Sequence, residues 1–196
     1  MSEIPVERHP LQPFLPAKGR LLMLGSFPPP KTRWCMDFYY PNFTNDMWRI
    51  VGLVFFGDAL HFVDTARRTY RLTQLKAFLQ TTGIGLYDTA TAVRRLQGTA
   101  ADKDLEVVEA TDVAALLAAM PTCRAIVTTG EKATLTLAAA FHAVPPRVGT
   151  YTTFSLRGDT FRLYRMPSSS RAYPMRLERK AAAYRAMFAD LFALPS

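Results

Sequence analysis

The chain alternates short unbroken apolar runs with segments in which apolar residues recur every three or four positions. Leu21-Leu22-Met23-Leu24, opened by Arg20 and closed by Gly25, has the pattern of a buried strand ending in a glycine turn. Ile84-Gly85-Leu86-Tyr87-Asp88 repeats that pattern and ends in a carboxylate, and Arg124 to Gly130 forms a third strand and turn. Between these lie helical periods. One starts near Thr44, where Thr44 or Asn45 can cap it, Asp46 suits its first turn, Trp48, Val51 and Phe55 share a face, and Gly57 ends it. Leu72 to Thr82 is a second, stopped by Gly83, and Thr111-Asp112 caps a short third through Ala119. Glu131 to Phe141 follows the third strand. Thr152–Leu156 and Thr160–Tyr164 flank Arg157-Gly158-Asp159, a hairpin turn. A long final helix spans Met175 to Phe192, with Leu177, Tyr184, Met187, Phe188 and Leu191 as its apolar stripe.

Strands alternating with helices predict an α/β fold, a three-layer α/β/α sandwich on a mostly parallel central sheet of about four strands. Residues 20–196 read as one domain, preceded by a proline-rich, loosely ordered arm over 1–19. Ligands of such sheets sit at the carboxyl ends of the strands. Three stretches fall there: Gly25 to Trp48, Tyr87-Asp88, and Pro167 to Arg171.

Composition narrows the function classes. No apolar run approaches the roughly 20 residues that span a bilayer, and the first 20 residues lack a hydrophobic signal core, which points to a cytoplasmic protein with no membrane partner. Cys35 and Cys123 have no metal-type spacing and read as packed, reduced thiols. The net charge of +8 is uneven: residues 145–196 hold nine basic and three acidic side chains. That segment suits a polyanion such as nucleic acid, and equally a solvated helix face.

The usual catalytic sets are missing. His9, His61 and His142 lie at no predicted strand end, with His9 in the arm and the others on the surface. There is no nucleophile elbow, phosphate loop or metal-binding helix motif, and no metal or cofactor is expected. Gly130-Glu131-Lys132 opens a helix, but one glycine is a plain strand-to-helix turn more readily than a phosphate site. What remains is rings, amides and hydroxyls. Tyr39 and Tyr40 could stack on a planar ring or belong to the core. Asn45 could read a base edge or cap a helix. Backbone amides after Gly25 can approach an oxygen closely. Ser168, Ser169, Ser170 and Arg171 could grip a phosphate or form a polar turn.

In combination these stretches resemble the uracil-DNA glycosylase superfamily, most closely its mismatch-specific and hypoxanthine-removing branches. The resemblance rests on Gly25-Ser26-Phe27-Pro28 after the first strand, then Tyr39-Tyr40, Asn45 and Trp48. It continues through Gly83 to Asp88, through Ala125 to Lys132 with Glu131 inserted between glycine and lysine, and ends at Pro167-Ser168-Ser169-Ser170. It covers about residues 20 to 190. It implies a monomeric, monofunctional DNA glycosylase of base-excision repair that flips a deaminated base, hypoxanthine or uracil, out of duplex DNA and hydrolyses its N-glycosidic bond without a cofactor. By the same resemblance Tyr40 stacks on the base, and the amides of Ser26 and Phe27 hold the base carbonyl as negative charge develops. Gly25 admits the base, and Asn45 binds its edge or orients the attacking water. Ser168 to Ser170 pinch phosphates, with Arg171 flanking the groove. The chain also departs from the pattern. Phe27 stands where many members carry a water-activating Asp or Asn, and Met166 where others carry His. Asn42-Phe43 replaces a His-Pro pair, and Asp46 follows Asn45, where its charge could repel phosphate or activate water. The triple proline after Phe27 stiffens the loop. Two alternatives follow: a non-catalytic nucleic-acid-binding protein of the same fold, and an N-glycosidase acting on free nucleosides or nucleotides.

Overall fold

The computed structural model describes residues 4–99 and 101–194. In chain order the elements are β1 (Glu7–Arg8), β2 (Leu21–Gly25), α1 (Met47–Phe56), β3 (Val63–Asp64), β4 (Thr69–Tyr70), α2 (Leu72–Thr82), β5 (Ile84–Asp88), β6 (Ala90–Arg95), β7 (Leu105–Ala110), α3 (Val113–Ala118), β8 (Ala125–Thr129), α4 (Glu131–Ala140), β9 (Thr150–Leu156), β10 (Asp159–Met166) and α5 (Leu177–Leu191).

The three unbroken apolar runs become three neighbouring strands of a five-stranded sheet of order β5-β2-β8-β10-β9. β2 pairs in parallel with β5 (Leu21 opposite Ile84) and with β8 (Leu21 opposite Ala125), and β8 pairs in parallel with β10. Every residue of β2, β5 and β8 is buried, as expected for strands covered on both faces. The fifth strand, β9, is the antiparallel partner of β10 and forms the expected hairpin. Arg157 and Gly158 between them both have positive φ, 53° and 86°, the geometry of a two-residue turn that follows the strand twist.

Helices flank this sheet. α2 packs on β5, α4 on β8, and α5 on α1 and β10. Phe55 of α1 joins three of them, its ring centroid 4.9 Å from both Phe78 of α2 and Phe188 of α5. The glycine stops sit as the sequence suggested: Gly57 and Gly83 cap α1 and α2 in the left-handed region. Among the described residues no helix is long and apolar enough to cross a membrane.

A second, smaller sheet of order β1-β6-β7 went unforeseen. Part of the stretch read as a loose arm belongs to it: Glu7 and Arg8 pair antiparallel with Val93 and Ala92. The arm then runs along the free edge of β5, where Phe14 and Leu86 exchange backbone hydrogen bonds of 3.0 and 2.8 Å. Ala90, Val93 and Leu105 of this sheet bury Phe27 in a small core of their own.

Candidate functional site

The four parallel strands end side by side, and a cavity of about 430 Å³ opens at those ends. Gly25 closes β2, Asp88 closes β5, Thr129 closes β8, and Ser168 to Ser170 follow β10; all of them line it, with Ser26, Phe27, Tyr39, Tyr40, Asn45 and Asp102. The three stretches singled out in the sequence therefore meet at one place, as the strand-end rule for open parallel sheets requires.

One wall is uncharged. Tyr40 sits at φ 49°, a left-handed conformation that costs a non-glycine residue about 1 kcal/mol or more and recurs at functional sites. Its ring is held edge-on by Trp48 at 5.6 Å and its hydroxyl lies 3.1 Å from Thr129 Oγ1. Burial raises the pKa of that hydroxyl, so it stays neutral. Trp48 is fixed in turn by its indole N–H, which donates to the Tyr39 carbonyl at 3.1 Å. Asn45 caps α1 from outside: its Oδ1 accepts the Met47 N–H at 2.9 Å. Thr44 takes no part in that cap and bonds Asn42 instead. With Oδ1 used by the backbone, the Asn45 amide nitrogen is the group left to face a ligand. Among the described residues, no protein acceptor takes the N–H of Ser26 or Phe27. The Phe27 side chain lies in the small second core, so this residue offers the cavity chiefly its backbone.

The serine loop forms the rim. Ser168 Oγ accepts from the Ser170 N–H and Ser170 Oγ from the Ala172 N–H, which leaves both hydroxyl protons free to donate. A buried ion pair fixes the loop. Lys180 on α5 is fully buried and donates to Asp46 Oδ2 at 2.9 Å and to the Ser170 carbonyl at 2.8 Å. Asp46 Oδ1 takes Arg171 at 3.2 Å, and the Asp46 N–H donates to the Ser169 carbonyl. Asp46 is thus held away from the cavity by two cations. Arg171 is more than half exposed and shares its charge with Asp46. Lys180 is one of the nine basic residues of the C-terminal segment, and it serves neither as a solvated charge nor as a free polyanion contact. It lies three residues after Leu177 and four before Tyr184, in the apolar stripe, where a charge needs a buried partner.

A second part of the lining is acidic. Asp88 Oδ2 lies 2.8 Å from His9 Nε2, and the His9 side chain is almost wholly buried, at 2% exposure, among Phe27, Tyr39 and Tyr87. The placement of His9 in a loose arm away from the strand ends is therefore corrected. β1 pairing carries the arm over the β5 terminus and drops the imidazole onto it. A Cβ on Gly25 would come within 2.5 Å of Asp88 Oδ1, so glycine here permits the carboxylate to lie against the end of β2. Asp102, on a short 3-10 turn (Asp102–Asp104) between β6 and β7, accepts the Ser26 hydroxyl at 3.0 Å. Burial raises its pKa, the Ser26 hydrogen bond lowers it, and the charge of Asp88 raises it further. Nothing in the sequence set Asp102 apart from its neighbours Lys103 and Asp104.

Other groups stay outside this chemistry. Cys123 is buried, with its thiol pushed up to about 11 by desolvation, and Cys35 is raised in the same way while its Sγ bonds the Pro41 carbonyl. His61 stacks on Phe56 at 3.6 Å, and His142 is exposed. Among the described residues no group of three or more His, Cys, Asp or Glu is placed to hold a metal ion.

No family model and no curated protein matches the chain. Among solved structures it is similar to the solution structure of a protein from Methanosarcina acetivorans, named there as a "putative Uracil DNA glycosylase". The two share 23% identity over 95% of this chain and 98% of that one, with a TM-score of 0.63. At that identity the likeness establishes a shared fold: a mixed α/β domain with a central sheet flanked by helices.

Proposed function

We propose that this protein is a monofunctional DNA glycosylase that receives a flipped, deaminated base, hypoxanthine or uracil, in the strand-end cavity and hydrolyses its N-glycosidic bond. The observation that carries this reading is convergence. The free amides after Gly25, the Tyr40 ring and Asn45, from one loop and the start of its helix, meet the serine rim from the far end of the chain and border one cavity whose 430 Å³ lies in the range of small-molecule sites, roughly 300–1,000 Å³.

The base enters with its face on Tyr40 and a carbonyl oxygen toward the N–H groups of Ser26 and Phe27. As the C–N bond breaks, electron density moves onto that oxygen, and donors already aimed at it stabilise the leaving base; one such donor is worth about 3 kcal/mol of barrier. Asn45 donates its amide N–H to the base edge. Ser168, Ser169 and Ser170 hold the phosphates beside the flipped nucleotide, with Arg171 adding charge at the rim. Because the sugar develops cationic character, placement and charge matter more than a strong nucleophile. The protein acts on DNA as a monomer and needs no cofactor for this chemistry.

Single-turnover release of base from duplexes containing uracil, hypoxanthine or xanthine tests the reading, with Tyr40→Ala and Asn45→Ala alongside. We expect release from at least one duplex and a fall of about 100-fold in each variant. Salt-sensitive duplex binding with no release from any substrate would leave a nucleic-acid-binding protein of the same fold. Release from free nucleosides but from no duplex would make it a nucleoside N-glycosidase.

A further inference from the structure

Phe27 is packed in a hydrophobic core, and a phenyl ring can take no proton, so the attacking water needs another base. Two carboxylates border the cavity, and the structure distinguishes them. Asp88 is occupied: Oδ2 is bonded to His9 and Oδ1 lies against the backbone of Gly25. Asp102 uses only Oδ2, which accepts the Ser26 hydroxyl. Among the described residues Oδ1 of Asp102 has no hydrogen-bond partner. No polar side-chain atom there is both fully buried and unpaired, so this oxygen is open to solvent, and Asp102 lines the cavity. The Ser26 hydroxyl fixes the carboxylate beside the same loop whose amides face the base.

We propose that Asp102 is the water-activating base of the reaction, supplied by the turn between β6 and β7 rather than by the loop after β2. The proposal rests on the glycosylase reading above. In this step the water oxygen forms a bond to C1′ as the C1′–N bond breaks. The electron pair of that bond leaves with the base, held as an anion by the Ser26 and Phe27 amides. The water proton passes to Asp102 Oδ1 and then to solvent or to the departing base, which restores the carboxylate and leaves a hydroxyl on the sugar. Four groups set the ionisation of Asp102 besides Ser26: Asp88 on β5 disfavours the charge, Lys132 on α4 and Arg95 on β6 favour it, and the Tyr40 hydroxyl lies near enough to interact. Burial is the largest influence, and it moves the carboxyl above the ordinary aspartate range.

Asp102→Asn keeps an oxygen for the Ser26 hydroxyl and loses only the ability to take a proton. Single-turnover release from the preferred duplex should fall by about 100- to 10,000-fold, the usual share of a general base, with duplex affinity unchanged. The wild-type rate should rise with pH through one ionisation lying above the ordinary aspartate value and then level, and the variant should lack that rise. Asp104→Asn, which perturbs the same turn through its contact with Thr99, should keep both the rate and the rise. Full activity in Asp102→Asn overturns the proposal and leaves the glycosylase reading intact. A wild-type rate that falls with pH through the same ionisation also overturns it, since Asp102 would then be an acid. A wild-type protein that binds duplex and releases no base overturns both.

Discussion

The two walls of the cavity are built by different means. The Tyr40–Asn45 wall is neutral and made by the main domain: a strained tyrosine braced by Trp48 and Thr129, and an asparagine tied to the first turn of α1. The Asp88–Asp102 wall is charged and depends on the small sheet, which delivers Asp102 from its β6–β7 turn and His9 from the strand beside β6. On the proposed function, the neutral wall supplies the ring and the amide donor that meet the base. The acidic wall has the proton-accepting groups but no means of its own to place a ligand. On the proposed function, binding and proton transfer are divided between the two walls, and substitutions on each wall should fail in different ways.

The largest effect is expected beneath the neutral wall. Lys180 is fully buried against Asp46. Lys180→Met would leave that carboxylate with Arg171 alone and should lower stability by about 3 kcal/mol, read from denaturant midpoints. Adding Asp46→Asn should recover most of the loss, because no unpaired buried charge would remain. If the single variant is as stable as wild type, the ion pair does not anchor the serine rim.

Asn45 comes next. On the proposed function Asn45→Ala removes a donor worth about 100-fold in rate, and it also removes the hydrogen bond to the Met47 N–H, worth about 1 kcal/mol in stability. Asn45→Asp keeps the oxygen that accepts the Met47 N–H and loses only the donor. Its stability should therefore return to wild type while base release stays depressed. Recovery of both would mean that Asn45 serves the helix and not the base.

The same division decided what could be read from the sequence. The main sheet was legible because β2, β5 and β8 are unbroken apolar runs, and α1 and α2 end at glycines that only a helix stop explains. The neutral wall was legible because Gly25 to Phe27, Tyr40 and Asn45 follow one another within a single loop and the start of its helix. The acidic wall was not. β1 is two residues long, and β7 is largely exposed, so neither gives an apolar period. The Asp88–His9 and Ser26–Asp102 contacts join residues 79 and 76 positions apart, a distance at which local pattern carries no signal. Phe27 shows the cost: it looked like a lost catalytic position, and the small sheet shows it to be the plug that holds that sheet against the loop.

A milder test separates shape from polarity on the neutral wall. Tyr40→Phe keeps the ring against Trp48 and loses the hydroxyl contact with Thr129. A typical hydrogen bond is worth about 1 kcal/mol, so stability should fall by that much while base release stays within a few-fold of wild type. A collapse of activity matching that of Tyr40→Ala would mean that the hydroxyl, not the ring, meets the substrate.

The smallest expected effect has the opposite sign and belongs to the acidic wall. Burial raises the folded-state pKa of Asp102, so folding favours its protonated form. The stability this provides is complete below the unfolded aspartate value and is lost as pH rises through the folded value. Above the folded value the wild-type protein carries a charge, beside Asp88, that Asp102→Asn lacks. The variant should melt higher than wild type at neutral pH, and the gap should close as the pH is lowered past the ordinary aspartate value. Removing the Tyr40 or Asn45 contacts on the neutral wall should lower stability, whereas this substitution should raise it while slowing the reaction, the trade expected of a group kept for chemistry. A melting temperature for Asp102→Asn below wild type at neutral pH would mean that the carboxylate stabilises the turn, and the contrast between the walls would no longer hold.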